Sequence, residues 1–467
     1  MRTIVVLFTR DLRVHDHPAL AAACADADRV VPLFVFDDDV LGRDIAGPNK
    51  VAFLRDGVAD LTARRRGLGG ALFKRRGDVV AQVAGVVAAS AAGAVHVSAD
   101  VTHHAGRRVQ RLRDALDVEV RAFPGLTVVP PGELTTSSGG AYGRFTPYWR
   151  AWRELEHRAP VPAPDALSCP STLPVGSLPR PDELVDGAPS PELPDGGETP
   201  GRRLLERWLS DGVHAYADGH DDLAGDRTSR LSPYLHLGCV SPAEVVARAA
   251  AVARAGEGGA DGAVGDGGGD GAAAFVRQVC WRDFHHQVLA ARPEVAWEDY
   301  RDRGDRWHDD EAALEAWRAG RTGFPIVDAG MRQLQREGWM HNRARLIVGS
   351  FLVRDLYVDW RHGARHFLRL LVDGDVANNQ MNWQWVAGTG THSRPNLVLS
   401  PLRQAARFDP DGDYVRRYVG ELAGIAGAAV HRPWDLPDDV RAGLDYPDPI
   451  VDHHEAVARF RAARGLD

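Results

Sequence analysis

Cysteine is scarce and lysine nearly absent in this 467-residue chain. The four cysteines, Cys24, Cys169, Cys239 and Cys280, stand far apart and never approach C-x-x-C spacing, which argues against a structural zinc site and against a disulfide framework. No metal site is expected, and the thiols read as reduced, as in a cytoplasmic protein. Lys50 and Lys74 are the two lysines, and arginine supplies the remaining basic side chains. No apolar run reaches membrane-spanning length. The short apolar stretch Met1–Phe8 is followed at once by Arg10, Asp11 and Arg13 without a small-residue cleavage site, so it reads as a buried strand and not as a signal peptide. Net charge is −8, so the chain as a whole does not attract polyanions, and any nucleic-acid contact has to come from a local basic patch. G-x-G-x-x-G is missing from the first half, which leaves a dinucleotide at the first strand turn unsupported.

What is present divides the chain into two halves. A length of 467 residues exceeds one hydrophobic core and predicts two or three folding units. Apolar runs at Ile4–Phe8, Val30–Phe36, Ala71–Phe73, Val95–Val97 and Val118–Val120 alternate with helical patterns such as Val51–Leu61 and Val79–Ala92. That alternation predicts a parallel, doubly wound, Rossmann-like sheet over residues 1–130. Gly93 is expected to close the Val79–Ala92 helix. Residues 131–200 read as an interdomain linker, Pro-, Gly- and Ser-rich from Pro160 onward. Residues 201–467 read as all-helical. Ser241-Pro242-Ala243-Glu244 predicts a capping box with proline at the first helical position. The Gly/Ala/Asp-rich tract between Ala255 and Ala274 is expected to be a disordered insertion between two helices. Phe324-Pro325 opens a helix that Gly338 closes. Leu346–Val353 is apolar nearly all round, which places that helix inside the domain.

Chemistry-bearing residues concentrate in the second half. Thr228, Ser229 and Ser232 precede Pro233, where a helix begins, so hydroxyls and a helix N-terminus converge as a phosphate would require. Taken alone, they read first as a plain Ser-Pro cap, which is common at helix starts. Read together, four blocks point further: LFTRDLRVHDHPAL from Leu7, TSRLSPYLHLG from Thr228, WRDF from Trp281, and the uninterrupted run from Thr322 to Thr391. In that order they resemble the photolyase/cryptochrome family over nearly the whole chain, most of all the class I cyclobutane-dimer photolyases.

The resemblance implies FAD in the helical half. Tyr216, Thr228, Ser229, Leu231, Ser232 and Arg282 match its phosphate and ribityl contacts. Arg345 with Asp373 matches an ion pair beside the isoalloxazine, Asp375 a neighbouring carboxylate, and Asn379 the residue facing flavin N5. Trp383, Trp360 and Trp307 match an electron-transfer chain running outward from the flavin. The implied substrate is UV-damaged DNA, read by Gln278, Trp281, Asn342 and Trp385, with Arg343, Arg394, Arg403 and Arg407 as phosphate contacts. The implied reaction is blue-light-driven electron transfer from FADH⁻ that splits a flipped-out pyrimidine dimer, performed by a monomer. An antenna chromophore is expected in the α/β half, 8-hydroxy-5-deazaflavin in preference to methenyltetrahydrofolate, with Asp100 as its candidate residue. Two positions depart from the dimer-splitting pattern: Gln278 stands where a glutamate is general, and Leu346 where a methionine is common. Asn342 in WMHNR opposes the (6-4) branch, which has a histidine there. The isolated cysteines exclude the iron–sulfur branch. A blue-light photoreceptor without repair is the first alternative, favoured by Gln278 and Leu346 and opposed by the absence of a signalling tail. An electron-transfer flavoprotein is the second, opposed by Trp281, Asn342 and Trp385.

Overall fold

The computed structural model describes residues 1–256 and 271–466. The expected insertion 255–274 therefore lies mostly outside the described residues, while its two ends belong to the helices Pro242–Gly256 and Gly271–Ala291.

Five strands, β1 (Thr3–Phe8), β2 (Arg29–Asp37), β3 (Phe73–Gly77), β4 (Ala94–Ser98) and β5 (Glu119–Phe123), form one parallel sheet in the order β3-β2-β1-β4-β5. β1 is wholly buried and rich in β-branched residues, as a central strand covered on both faces must be. Its side chains alternate between two cores. Ile4, Val6 and Phe8 join a cluster that runs into the helical half through Leu205, Tyr234, Leu237 and Phe284. Val5 and Leu7 meet Val79, Val83, Val86 and Leu112 on the other face.

The outer strands lie up to four residues from where their apolar runs placed them. Ala71–Phe73 gives way to Phe73–Gly77 and Val118–Val120 to Glu119–Phe123, because an edge strand carries charged residues that dilute the apolar signal. The β3 edge is covered: Lys74 N–H donates to the Val175 carbonyl at 2.7 Å. Gly93 does not close the helix before β4. That helix is Val79–Ser90, and Ala91 takes the left-handed cap at φ 49°, with Ala92 N–H returning to the Val87 carbonyl. Gly93 N–H instead donates to Thr3 at the sheet.

Between the sheet and the helical half, helix Phe145–Glu154 buries Phe145, Tyr148 and Trp152. Buried carboxylates tie the halves together. Asp283 accepts from Val128 N–H, Val129 N–H and Trp152 Nε1. Glu198 accepts from the Val14 and His15 amides and pairs with Arg64 at 2.9 Å. Ser241 caps helix Pro242–Gly256 by accepting from Glu244 N–H, while the Glu244 carboxylate holds Arg202. Helix Pro325–Glu337 begins and ends as read, with Gly338 left-handed at φ 61°. A second helical core is built from Trp317, Ile347, Phe351, Trp360 and Trp383. Among the described residues no helix is long and apolar enough to cross a membrane.

Candidate flavin and lesion site

Two adjoining cavities open in the helical half. The larger, about 410 Å³, is lined by Tyr216, Ser229, Leu231, Ser232, Gln278, Trp281, Arg282, Asn342, Arg345, Leu346, Asp373, Asp375 and Trp385. Residues drawn from positions 216 to 385 thus converge on one space. The smaller, about 70 Å³, shares Asn342, Arg345, Leu346 and Asp373 and adds Asn379, Trp383, Phe367 and Leu371. Thr228 is not among the residues lining either cavity, and its hydroxyl donates to Asp226 at 3.0 Å.

One wall carries charge. Arg345 pairs with Asp373 Oδ2 at 2.7 Å and donates to the Met340 carbonyl at 2.8 Å. Among the described residues, Asp373 Oδ1 is buried with no hydrogen-bond partner, an acceptor that suits a ligand donor. Asp375 caps helix Val376–Ala387 by accepting from Asn378 N–H at 2.9 Å, and its other oxygen faces Arg10 and, at 3.6 Å, His286. Burial alone would raise this carboxyl, but His286 and Arg10 outweigh it and hold Asp375 well below the usual carboxylate range. His236 and His285 also line the larger cavity. Burial pushes both down, His285 to about 4, so they remain neutral at pH 7. Arg282 is buried, donating to the Leu126 and Leu235 carbonyls. A cavity lined by serine and tyrosine hydroxyls, a guanidinium–carboxylate pair and an unpaired carboxylate oxygen fits the polar groups of a flavin dinucleotide.

Other lining residues are aromatic or carry amides. Trp281 is half-buried, and its ring lies face to face with Phe145, centroids 3.6 Å apart and planes 7° apart. Trp385 packs edge-on to His392 at 4.1 Å. Gln278 and Asn342 are exposed at the mouth. Of the four arginines, Arg394, Arg403 and Arg407 are exposed, whereas Arg343 is held by Asp221 at 2.5 Å and stacks over Phe408.

The three tryptophans differ in exposure. Trp383 lines the smaller cavity and is 3 % exposed; Gly363 and Gly349 leave room for its indole, since a Cβ at Gly363 would collide with the ring. Trp360 is fully buried, with Nε1 donating to Asp299 at 2.8 Å. Trp307 is half-buried against Tyr357.

Asp100 lies outside these cavities. It follows β4 as Arg10 follows β1, so both sit at the point where the strand order reverses, a usual ligand position in such sheets. There Asp100, Arg10, Asp37, Thr102, His104 and Arg108 line a cavity of about 190 Å³. Arg10 bridges the two regions, contacting Asp100 at 3.4 Å and Asp375 in the flavin wall. Sequence reading missed Arg10, His236, His285, Asn378, Asn382 and Phe145. Arg10 lies inside the first quoted block, but nothing local shows that its partner is 365 residues away.

Residues 4–165 match the family described as DNA photolyase, and residues 275–465 match the FAD binding domain of DNA photolyase. The chain belongs to the DNA photolyase family. It is 52 % identical to the deoxyribodipyrimidine photo-lyase of Streptomyces griseus over the whole of both chains. Cryptochrome DASH of Gloeobacter violaceus is 34 % identical, with 99 % of this chain and 95 % of that protein covered. The crystal structure of a class III photolyase from Agrobacterium tumefaciens superposes with a TM-score of 0.89 at 33 % identity, covering 100 % of this chain and 97 % of the other. As a photolyase-family enzyme the chain is a lyase, and its helical half is an FAD-binding domain.

Proposed function

We propose that this photolyase-family chain splits cyclobutane pyrimidine dimers in DNA under blue light. The observation that carries the reading is that Gln278, Trp281, Asn342 and Trp385 line the same cavity as Ser229, Ser232, Arg282, Arg345 and Asp373. Chemistry on a paired base requires lifting it from the stack, which is cheapest for a distorted lesion. A flipped dimer would meet two indole walls, Trp281 and Trp385, and amides that offer both donors and acceptors to its pyrimidine edges. Phe145 fixes the plane of Trp281 from behind. Exposed Arg394, Arg403 and Arg407 are the phosphate contacts of the reading.

Bound FAD would supply the chromophore and the electron for cleavage. Ser229, Ser232 and Arg282 would hold its phosphates, with Tyr216 and Leu231 flanking them. Arg345, Asp373 and Asp375 would border its ring. Thr228 would act through the turn it shares with Asp226. Asn379 donates through its amide nitrogen to the Ala364 carbonyl and to Gln380 Oε1, which leaves its Oδ1 to accept from the ring edge. Asn379→Ala is expected to speed air reoxidation of reduced flavin, measured by stopped-flow absorbance, and an unaltered rate would remove the assigned role. Trp383, Trp360 and Trp307 would return electrons to oxidised flavin. The cavity around Asp100 is where we place a deazaflavin antenna in preference to a folate, and mass spectrometry of extracted pigment tests it.

A photoreceptor without repair is the second reading, and Gln278 favours it. A glutamine accepts and donates hydrogen bonds but cannot give a carboxylic proton. If the chain repairs dimers, Gln278→Glu is expected to raise the yield of splitting per absorbed photon, because a carboxyl stabilises charge that exists only after electron transfer. Dimer affinity changes by no more than about one hydrogen bond, roughly 0.5–1.5 kcal/mol. A wild type that binds but never splits dimers, with a variant that behaves alike, would select the photoreceptor.

A further inference from the structure

Lysine occurs twice in this chain, and Lys50 stands in the first turn of helix Pro48–Gly67. Its amine reaches across to the helical half. It donates to the Leu368 carbonyl, in the last turn of helix Trp360–Leu370, and to the Ile45 carbonyl at 3.2 Å. Nζ also abuts the main chain at Gly374, where an added Cβ would come within 2.9 Å of it. Gly374 joins Asp373 to Asp375. It lines both the smaller cavity of the flavin site and a further cavity of about 330 Å³ between the two halves, which Lys50 lines as well. Gly374 is thus common to the surroundings of the amine and to the flavin site. Burial pushes the Lys50 amine down to about 7, with Asp373 and Asp375 opposing the fall and Arg10 adding to it. His236, His103, His104 and Arg43 share its cavity. Burial holds His236 well below its ordinary value, while Asp100 and Asp375 raise Arg10 against its burial, so neither changes charge near neutrality. Arginine, the basic residue used almost everywhere else in the chain, would keep its proton at this position, and a lysine need not.

We propose that Lys50 takes up a proton when the flavin is reduced, so that the α/β half supplies the positive charge that balances the reduced ring. The inference rests on the reading that Asp373 and Asp375 border that ring. Oxidised FAD that gains two electrons from an external reductant and one proton from water becomes FADH⁻, with one negative charge more than before. That charge favours the ammonium form of a nearby amine, and a neutral Lys50 binds one further proton from water. Together the two groups gain two electrons and two protons, and net charge is unchanged. The effect is reciprocal: a protonated Lys50 makes the flavin easier to reduce. At low pH the amine is charged in both flavin states and at high pH neutral in both, so the extra proton is taken up only in the window between.

Stepwise reduction of the flavin-loaded protein with dithionite and mediator dyes, followed by flavin absorbance from about pH 6 to about pH 9, tests this. Just above about pH 7 the wild-type midpoint potential is expected to fall with pH twice as steeply as that of Lys50→Met, because two protons accompany two electrons in the one and one proton in the other. Lys50→Arg, which stays charged, is expected to show the shallow slope at a potential above that of Lys50→Met. His286, which also faces Asp375, is present in all three proteins, so the comparison isolates Lys50. Equal slopes in wild type and Lys50→Met overturn the proposal, as does a Lys50→Arg protein whose potential lies no higher than that of Lys50→Met. If Lys50→Met does not fold, the slopes of wild type and Lys50→Arg decide alone, and equal slopes again overturn it. A wild type that binds no FAD overturns the flavin reading and this proposal with it.

Discussion

Trp383→Phe is expected to lower photoreduction of oxidised flavin by about tenfold or more while sparing dimer splitting by protein already reduced with dithionite. The indole lines the smaller cavity beside Asn379 and is buried, so it is placed to be the first donor and has no access of its own to solution. In the proposed electron route, its removal would cut Trp360 and Trp307 off from the flavin. It leaves Trp281 and Trp385, the proposed lesion walls, untouched. Truncating a buried ring also costs about 1–3 kcal/mol of stability through the space it leaves. Comparing the two activities in the same preparation separates that loss from the electron-transfer effect. Equal loss of both would make Trp383 a packing residue.

Asp375→Ala is expected to strip the protein of flavin and to destabilise it by about 3 kcal/mol, because it removes the buried partner of the Arg10 guanidinium and leaves the groups around it unsatisfied. Arg10 and His286 both face this carboxylate, and the helix Val376–Ala387 loses its cap. Asp375→Asn keeps the cap and should lose less. The flavin-to-protein absorbance ratio and the unfolding midpoint measure the two effects, and an Asp375→Ala protein with full flavin and an unchanged midpoint would contradict them. The sign of the pH dependence follows from the same network. A carboxyl whose folded pKa lies below its unfolded value, about 3.9, contributes stability that is fully present above that range and is lost as pH falls through the folded value. Wild-type stability should therefore fall below about pH 4, and Asp375→Ala should show a shallower fall.

Central strands and helix ends were legible in the sequence because they obey local rules. β1 and β2 stand out as β-branched runs buried on both faces, and Pro325 with Gly338 marks a helix at both ends. Edge strands were displaced because their charged residues, Lys74–Arg76 and Arg121, obscure the pattern. Ala91 could not be foreseen as a left-handed cap, since glycine two residues on is the better candidate by every local criterion. Cavity-lining residues were legible through family resemblance, and their convergence is a tertiary fact. The pairing of Arg343 with Asp221, the bridge from Asp100 through Arg10 to Asp375, and the stacking of Phe145 on Trp281 join residues distant in sequence. No periodicity or motif encodes such pairs.

The most direct test of the repair reading uses an oligonucleotide carrying one cyclobutane thymine dimer, mixed with fully reduced, flavin-loaded protein and held in blue light or in darkness. Chromatography then counts intact dimers. The account predicts that dimers disappear in light, persist in darkness, and persist in light when Trp281→Ala removes one wall of the cavity. Dimers that remain intact in light, although the oligonucleotide is bound and the flavin reduced, would contradict it.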